Sequence, residues 1–535
     1  MRWHIRNDLE FGDRSGEHLT ETRVLIVGLD GGTFKKLKPW LESNQLPLLS
    51  RLYLEGCHAQ LRVFFPTLSP LEWACFYTGK SPGKLGLFAL SHVEDLKEPT
   101  STWRVIDSTA VKSKTFWGIL GDQGIPVGIV NIPATYPPEE VKGFLISGYL
   151  TPASAKDFFY PRSLEPYLDG YKIESEFEYM PDRTISTERL LEELHSIAEH
   201  RTNTIIDIMG SIKVKLLAVN FKEIDVLQHV FWDDDETLLK FMKFVDASIG
   251  RLVKEFSPSH VLVMSDHGFH EAELEYFYIN TWLRQIGLLT GAGGLKGRFW
   301  LTAYRLAVSL SKRSSFIRRV VVSRKEAVSR YASLQIDLAK SMAYASQWAI
   351  FFSPEVRARP DYEEKRKWLR EELLSLESPS GHKVFDNVYG REELFTGEFV
   401  DRFPDLIPVP SSRFLINPNL YDKTFDARFD RPYLRGAHKS DPNGVFIFWG
   451  DGIKSGVDLG TLMLTDIAPT ILFLFGFDPP PDMDGRVIEQ AFSVDLLDRS
   501  RRRLAPTTME DKQKRVYSEQ EQEQIEDQLR RLGYL

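Results

Sequence analysis

Val261-Leu262-Val263-Met264-Ser265-Asp266-His267-Gly268 is an apolar run that stops at a carboxylate and an imidazole. Such an uninterrupted apolar run, rich in valine, describes a strand buried on both faces, as in a parallel sheet. In open α/β sheets the ligand crevice lies outside the carboxyl ends of the strands. Asp266 and His267 would then present two metal ligands at that rim. Asp and Gly are also common turn formers, so taken alone the stretch reads as a strand running into a turn. The segments around it change that reading.

The same form recurs at Arg23–Leu29, a second apolar run, which ends in Asp30-Gly31-Gly32. Further strands are expected at Val127–Ile132, Leu216–Phe221 and Val445–Trp449. A helix is expected through Phe34, Leu37 and Trp40, and another over Leu71–Tyr77, after Pro66-Thr67-Leu68-Ser69-Pro70. Longer helical patterns cover Thr187–Met209 and Leu238–Phe256. Strands alternating with helices predict an α/β fold, a mostly parallel central sheet with helices on both faces.

A chain of 535 residues predicts two to four domains, or one large α/β domain with insertions. Hydrophobic residues at 42% and charged residues at 27% are ordinary globular composition. A net charge of -8 argues against a nucleic-acid polymer as partner. Two cysteines, Cys57 and Cys75, make no disulfide framework and fit a reducing compartment. Met1–Arg23 lacks an apolar signal core, and no apolar run is long enough to span a bilayer. A cytoplasmic location is expected.

The chain divides into a tail over 1–22, a catalytic α/β domain over 23–290 and 336–490, and a linker with a docking helix over 491–535. Within the domain, 134–186 is rich in Pro, Tyr and Phe and reads as an inserted cap. A second insertion, 291–335, is basic and helical. Its stretch 305–330 is amphipathic, which suits a solvated covering helix, a lid over an anionic substrate or a membrane-surface contact. The docking helix begins at Ser518 with Glu521 as capping partner, presents Ile525, Leu529 and Leu532 on one face, and ends at Gly533.

Candidate chemistry lies in five places. Asp30 follows the first strand as a hard oxygen ligand or a turn residue. Ser69 begins Ser69-Pro70-Leu71-Glu72, the form of a plain helix cap. The same geometry sets a serine oxygen beside free backbone N–H groups that attract phosphate. Asp225 and His229 are four apart, on one face if helical. Asp266-His267 and the loop residue His438 complete the set. Three aspartates and three histidines suffice for two adjacent divalent sites, and their mixed oxygen and nitrogen donors suit zinc or manganese. Two such ions about 3.5–4 Å apart can clamp an in-line phosphoryl displacement.

These segments, in this order, resemble the alkaline phosphatase superfamily, and within it the type I phosphodiesterase/nucleotide pyrophosphatase branch. The resemblance is carried by Val24–Gly31, Phe65–Pro70 with Trp73 and Thr78-Gly79, Asp225-x-x-x-His229, Ser265–Phe269, Gly436-x-His438 and Asp466–Thr470. It implies an alkaline-phosphatase-like fold with inserted cap segments. Asp225, His229 and His438 would bind one metal ion. Asp30, Asp266 and His267 would bind a second, with the oxygen of Ser69. Ser69 would attack phosphorus and form a covalent phospho-enzyme, which water then hydrolyses. The implied activity is hydrolysis of a small phosphorylated substrate, at a phosphodiester or nucleotide pyrophosphate bond.

Two departures bear on specificity. The branch usually carries threonine at the nucleophile, where this chain has Ser69. The asparagine that holds a phosphate oxygen in nucleotide pyrophosphatases has no counterpart in Gly86–Leu90. Lys80, Lys84 and Lys439 are candidate substitutes as substrate-binding groups. A phosphomonoesterase, a phosphomutase and a catalytically silent anion-binding relative remain alternatives. A sulfatase is disfavoured, because Ser69 lacks the x-Pro-x-Arg that follows a sulfatase nucleophile.

Overall fold

The computed structural model describes residues 22–92, 105–175, 186–291, 336–346, 349–428, 434–499, 503–504 and 517–532. The tail 1–21, nearly all of the basic insertion including 305–330, and Gly533 lie outside the described residues.

A nine-stranded sheet organises the described chain. Its strands are β1 (Val24–Leu29), β2 (Cys57–Arg62), β3 (Val127–Ile132), β4 (Gly143–Ser147), β5 (Phe159–Tyr160), β6 (Leu216–Phe221), β7 (His260–Met264), β8 (Asn443–Gly450) and β9 (Val457–Met463). Across the sheet they run β9-β2-β8-β7-β1-β6-β3-β4-β5. Neighbours are parallel from β7 through β1, β6 and β3 to β4. β8 runs against both of its neighbours, β7 and β2.

The helices used below are α1 (Phe34–Glu42), α2 (Pro47–Glu55), α3 (Ser69–Thr78), α4 (Phe116–Asp122), α5 (Thr187–Ser211), α6 (Glu223–Phe231), α7 (Asp235–Phe256), α8 (Ile467–Leu474) and α9 (Glu519–Leu532). They cover both faces of the sheet. Successive strand residues point to opposite sides, so Val24 and Ile26 pack with Trp73, Phe76 and Phe116 of α3 and α4. Leu25, Val27 and Leu29 pack with Leu37, Leu49, Ile205 and Phe241 from α1, α2, α5 and α7. Apolar side chains on both faces explain why β1 and β7 read as continuous runs.

The stretch 134–186, read as an inserted cap, supplies β4 and β5 from its residues 143–160 at one edge of the sheet. Its Pro and Tyr content masked Phe144, Leu145 and Ile146, which are fully buried. A separate four-stranded antiparallel sheet, built from Ala343–Ser346, Ala349–Phe352, Phe385–Gly390 and Leu406–Pro410, lies within the region 336–490 assigned to the α/β domain. It anchors a third apolar cluster that takes in Ile525 and Leu529 of α9. Ser518 and Glu521 cap that helix reciprocally, Ser518 N donating to Glu521 Oε2 at 2.8 Å. Among the described residues no helix is long and apolar enough to cross a membrane.

Candidate active site

Three strands bring the site together. β1 pairs with β6 and β7 so that Val27 lies opposite both Val219 and Val263. Their carboxyl ends therefore deliver Asp30, Asn220 and Asp266 side by side. α6 starts directly after β6 and carries Asp225 and His229. β8 is antiparallel, so it is the residues before it that reach this rim. They include Gly436-Ala437, paired with His270-Glu271, and then His438.

Ser69 does not act as the cap its sequence suggests. The residue at the N-cap of α3 is Leu68, with Ser69 and Pro70 opening the helix. Glu72 turns away and accepts from Phe64 N at 3.2 Å. The Ser69 hydroxyl faces the rim instead, 3.1 Å from His267 Nε2 and 3.5 Å from Asp30 Oδ1. Gly79 closes the helix at φ 66°, where glycine carries no Cβ penalty.

The aspartates and histidines lie close together at this rim. Asp225 Oδ1 stands 3.6 Å from His229 Nε2 and 3.8 Å from His438 Nε2. Asp266 Oδ2 is 3.3 Å from His267 Nε2. Donor atoms of Asp225, His267 and His438 lie within 4.8 Å of one another, and so do those of Asp30, Asp266 and His267. His267 thus stands in both groups, whereas the resemblance assigns it to one. His229 meets the first group through Asp225.

Outer contacts orient these side chains. His229 Nδ1 donates to Gly436 O at 2.9 Å, and His267 Nδ1 donates to Gly268 O at 3.0 Å. Each ring then turns its Nε2 into the cluster, as metal-binding histidines do. Asn220 Nδ2 donates to Asp30 Oδ2 at 2.8 Å, and Gly31 N donates to Asp266 Oδ1 at 3.1 Å.

The electrostatics call for a cation. Burial, with the Asp266 carboxylate next to it, pushes the Asp30 carboxyl well above the usual range. Burial opposes ionisation of Asp225 as well, but the Lys222 ammonium beside it overcomes this and holds that carboxyl low. Burial lowers His229 and, more strongly, His438, which keeps both rings in the neutral form that binds metal. Asp225 Oδ1 and Asp266 Oδ2 are buried without a hydrogen-bond donor. Unpaired buried carboxylate oxygens are costly, and divalent ions would answer both. The donor set therefore fits the metal expected from the sequence.

Of the expected substrate-binding lysines, two are committed elsewhere. Lys80 Nζ binds Asp482 Oδ2 at 2.6 Å, and Lys84 Nζ binds Asp484 Oδ1 at 2.8 Å. Both pin the loop after α3 to the loop after α8. Lys439 follows His438 and lines a narrow cleft with Phe65, Leu68 and Glu273. Two participants escaped the sequence reading. Asn220 was signalled by its place as the polar residue in the buried run of β6. Lys222 reads as surface charge beside Glu223, yet it is only 2% exposed.

The sequence profile of the type I phosphodiesterase / nucleotide pyrophosphatase family matches residues 24–441. The chain belongs to that family, and with it to the phosphoester hydrolases of the alkaline phosphatase superfamily. Among curated proteins no sequence matches it. Solved structures share its fold. Human ectonucleotide pyrophosphatase / phosphodiesterase 5 is 15% identical, with a TM-score of 0.50 over 88% of this chain and 100% of that one. Phosphonoacetate hydrolase from Sinorhizobium meliloti, in complex with phosphonoacetate, is 13% identical, with a TM-score of 0.52 over 82% and 91% of the two chains. A variant of alkaline phosphatase PafA is 14% identical, with a TM-score of 0.51 over 88% and 98%. The superfamily is metal-dependent, and the two Asp/His groups are the candidate metal sites in this chain.

Proposed function

We propose that the chain hydrolyses phosphodiester or nucleotide pyrophosphate bonds, with Ser69 as nucleophile and two divalent ions, zinc or manganese, as cofactors. The observation that carries this reading is the approach of Asp30 and His267 to the buried hydroxyl of Ser69, with Asp266 grouped with them and Asp225 and His438 grouped on the other side of His267. Bound divalent ions would supply Lewis-acid charge for the serine oxygen and for the phosphoryl oxygens.

The chain's own residues account for the rest. Ser69 Oγ forms a bond to phosphorus as the bond to the leaving oxygen breaks in line. Water then cleaves the phosphoserine and restores the hydroxyl. Asn220 and Gly31 N fix the carboxylates, and the carbonyls of Gly436 and Gly268 fix the imidazoles, so the site is preorganised. The ion pairs of Lys80 and Lys84 support a diester or pyrophosphate over a doubly charged monoester, because the loop after α3 offers no uncommitted ammonium from either lysine. The free buried thiols Cys57 and Cys75 are in keeping with a reducing, cytoplasmic setting.

Rates on bis-p-nitrophenyl phosphate and p-nitrophenyl phosphate, measured with added zinc or manganese, test this directly. The diester should be turned over faster, and Ser69→Ala should abolish turnover while retaining metal. A faster monoester, or activity surviving in Ser69→Ala, would overturn the corresponding part.

A further inference from the structure

Lys222 is an unusual residue for its position. It occupies the N-cap of α6, where Ser, Thr, Asp and Asn are favoured for their side-chain acceptors. A positive charge there also opposes the helix dipole. It is buried, and lysine is almost never fully buried unless paired. Its partners are the site's own carboxylates. Nζ lies 2.5 Å from Asp225 Oδ2 and 3.8 Å from Asp30 Oδ1. On another side it sits 5.1 Å from the centre of the Tyr149 ring, a cation–π contact in a dry setting.

Lys222 therefore bridges the two groups of candidate ligands. Asp30, Asp225 and Asp266 bring three carboxylates together, and the ammonium touches two of them. It takes the Oδ2 side of Asp225, while Oδ1 faces His229 and His438. A divalent ion held by Oδ1 and those imidazoles would share one carboxylate with the ammonium. At that separation and burial, like charges repel strongly.

We infer that Lys222 is a resident counter-ion that competes with a divalent ion for Asp225 and so sets how tightly the site holds metal. The inference rests on the metal-dependent reading above. It assigns Lys222 a positioning role: it keeps the carboxylates assembled before metal binds and weakens the metal once bound.

Calorimetric titration of the full chain, freed of metal by chelator, with Zn2+ and then Mn2+ tests it. Lys222→Met should bind the first ion at least about tenfold more tightly than wild type, a difference of about 1.4 kcal/mol. Lys222→Arg, which keeps the charge, should stay within about threefold. Metal-free Lys222→Met should melt below wild type and gain more from added zinc, because a tighter ligand stabilises more at equal concentration. If metal-free Lys222→Met does not fold, the metal-loaded variant should release zinc to a chelator more slowly than wild type. Equal or weaker zinc affinity in Lys222→Met, or equal or faster release, overturns the inference. Wild type that binds no divalent ion overturns the metal-dependent reading itself.

Discussion

The imidazole rings of His267 and His438 are stacked, with centroids 3.9 Å apart and planes 11° from parallel. One ring follows the parallel strand β7, and the other precedes the antiparallel strand β8. Stacking fixes the spacing of the two ligand groups, since His267 sits with Asp30 and Asp266 and His438 sits with Asp225. Thr67 Oγ1 donates to His438 O at 2.7 Å, which ties this pair to the loop that presents Ser69.

Outer contacts to metal ligands are commonly worth about 10–100-fold in metal affinity or activity. Asn220→Ala removes the donor to Asp30 Oδ2 and should lower zinc affinity within that range, read by competition with a chromophoric chelator. Unchanged affinity would show that Asp30 needs no such support.

Gly28 marks a close approach of helix to sheet. A Cβ there would lie 2.5 Å from a ring carbon of Trp73 and 2.7 Å from Asn220 Oδ1. Gly28→Ala should destabilise the protein by about 1–3 kcal/mol, the usual range for overpacking. It should also impair activity through Asn220, and the two losses can be compared in one variant by denaturant titration and initial rate.

Most of this was visible in sequence where burial is two-sided. β1 and β7 are continuous apolar runs and β3 and β6 nearly so, so their ends could be read directly, as could the aspartates that follow β1 and β7. β2 escaped because His58, Gln60 and Arg62 alternate with buried Cys57, Ala59 and Leu61, and a six-residue alternation gives little signal. β9 escaped for a similar reason: its outer residues Asp458, Gly460 and Thr461 are exposed. Ser69 was legible as a helix start but not as a side chain aimed at the rim, because Leu68 takes the cap. Lys222 was illegible, since nothing local separates a buried lysine from a solvated one.

Glu72 should make stability depend on pH. Burial pushes its carboxyl well above 4.5, so the folded chain holds this proton more tightly than the unfolded one. The stability it contributes is full below about pH 4.5 and is lost as pH rises toward the folded value. Glu72→Gln keeps an acceptor for Phe64 N and carries no charge. It should raise the melting temperature at pH 8 and leave it unchanged near pH 4; the same shift at both would remove the titration as its cause.

Arg201 and Glu223 form a buried ion pair in which Arg201 Nη1 lies 2.7 Å from both carboxylate oxygens, with Ile173 O accepting from Arg201 Nη2 at 3.0 Å. It fastens α5 to the first turn of α6, next to Lys222. Arg201→Met strands a buried carboxylate and should cost about 3–5 kcal/mol. Arg201→Met combined with Glu223→Gln should recover part of that in urea denaturation. No recovery would mean that the guanidinium acts through packing alone.

The reversed direction of β8 governs when the molecule can form during synthesis. β2 emerges early, yet its sheet neighbours are β8 and β9, made from residues 443–463. Until those residues leave the ribosome, β7 is an open edge and β2 has nothing to pair with. The ligand set is likewise incomplete without His438. Completion of the candidate ligand set and closure of the sheet therefore fall together, late in translation, and a chain stopped before residue 438 would expose a bare strand edge without a finished site.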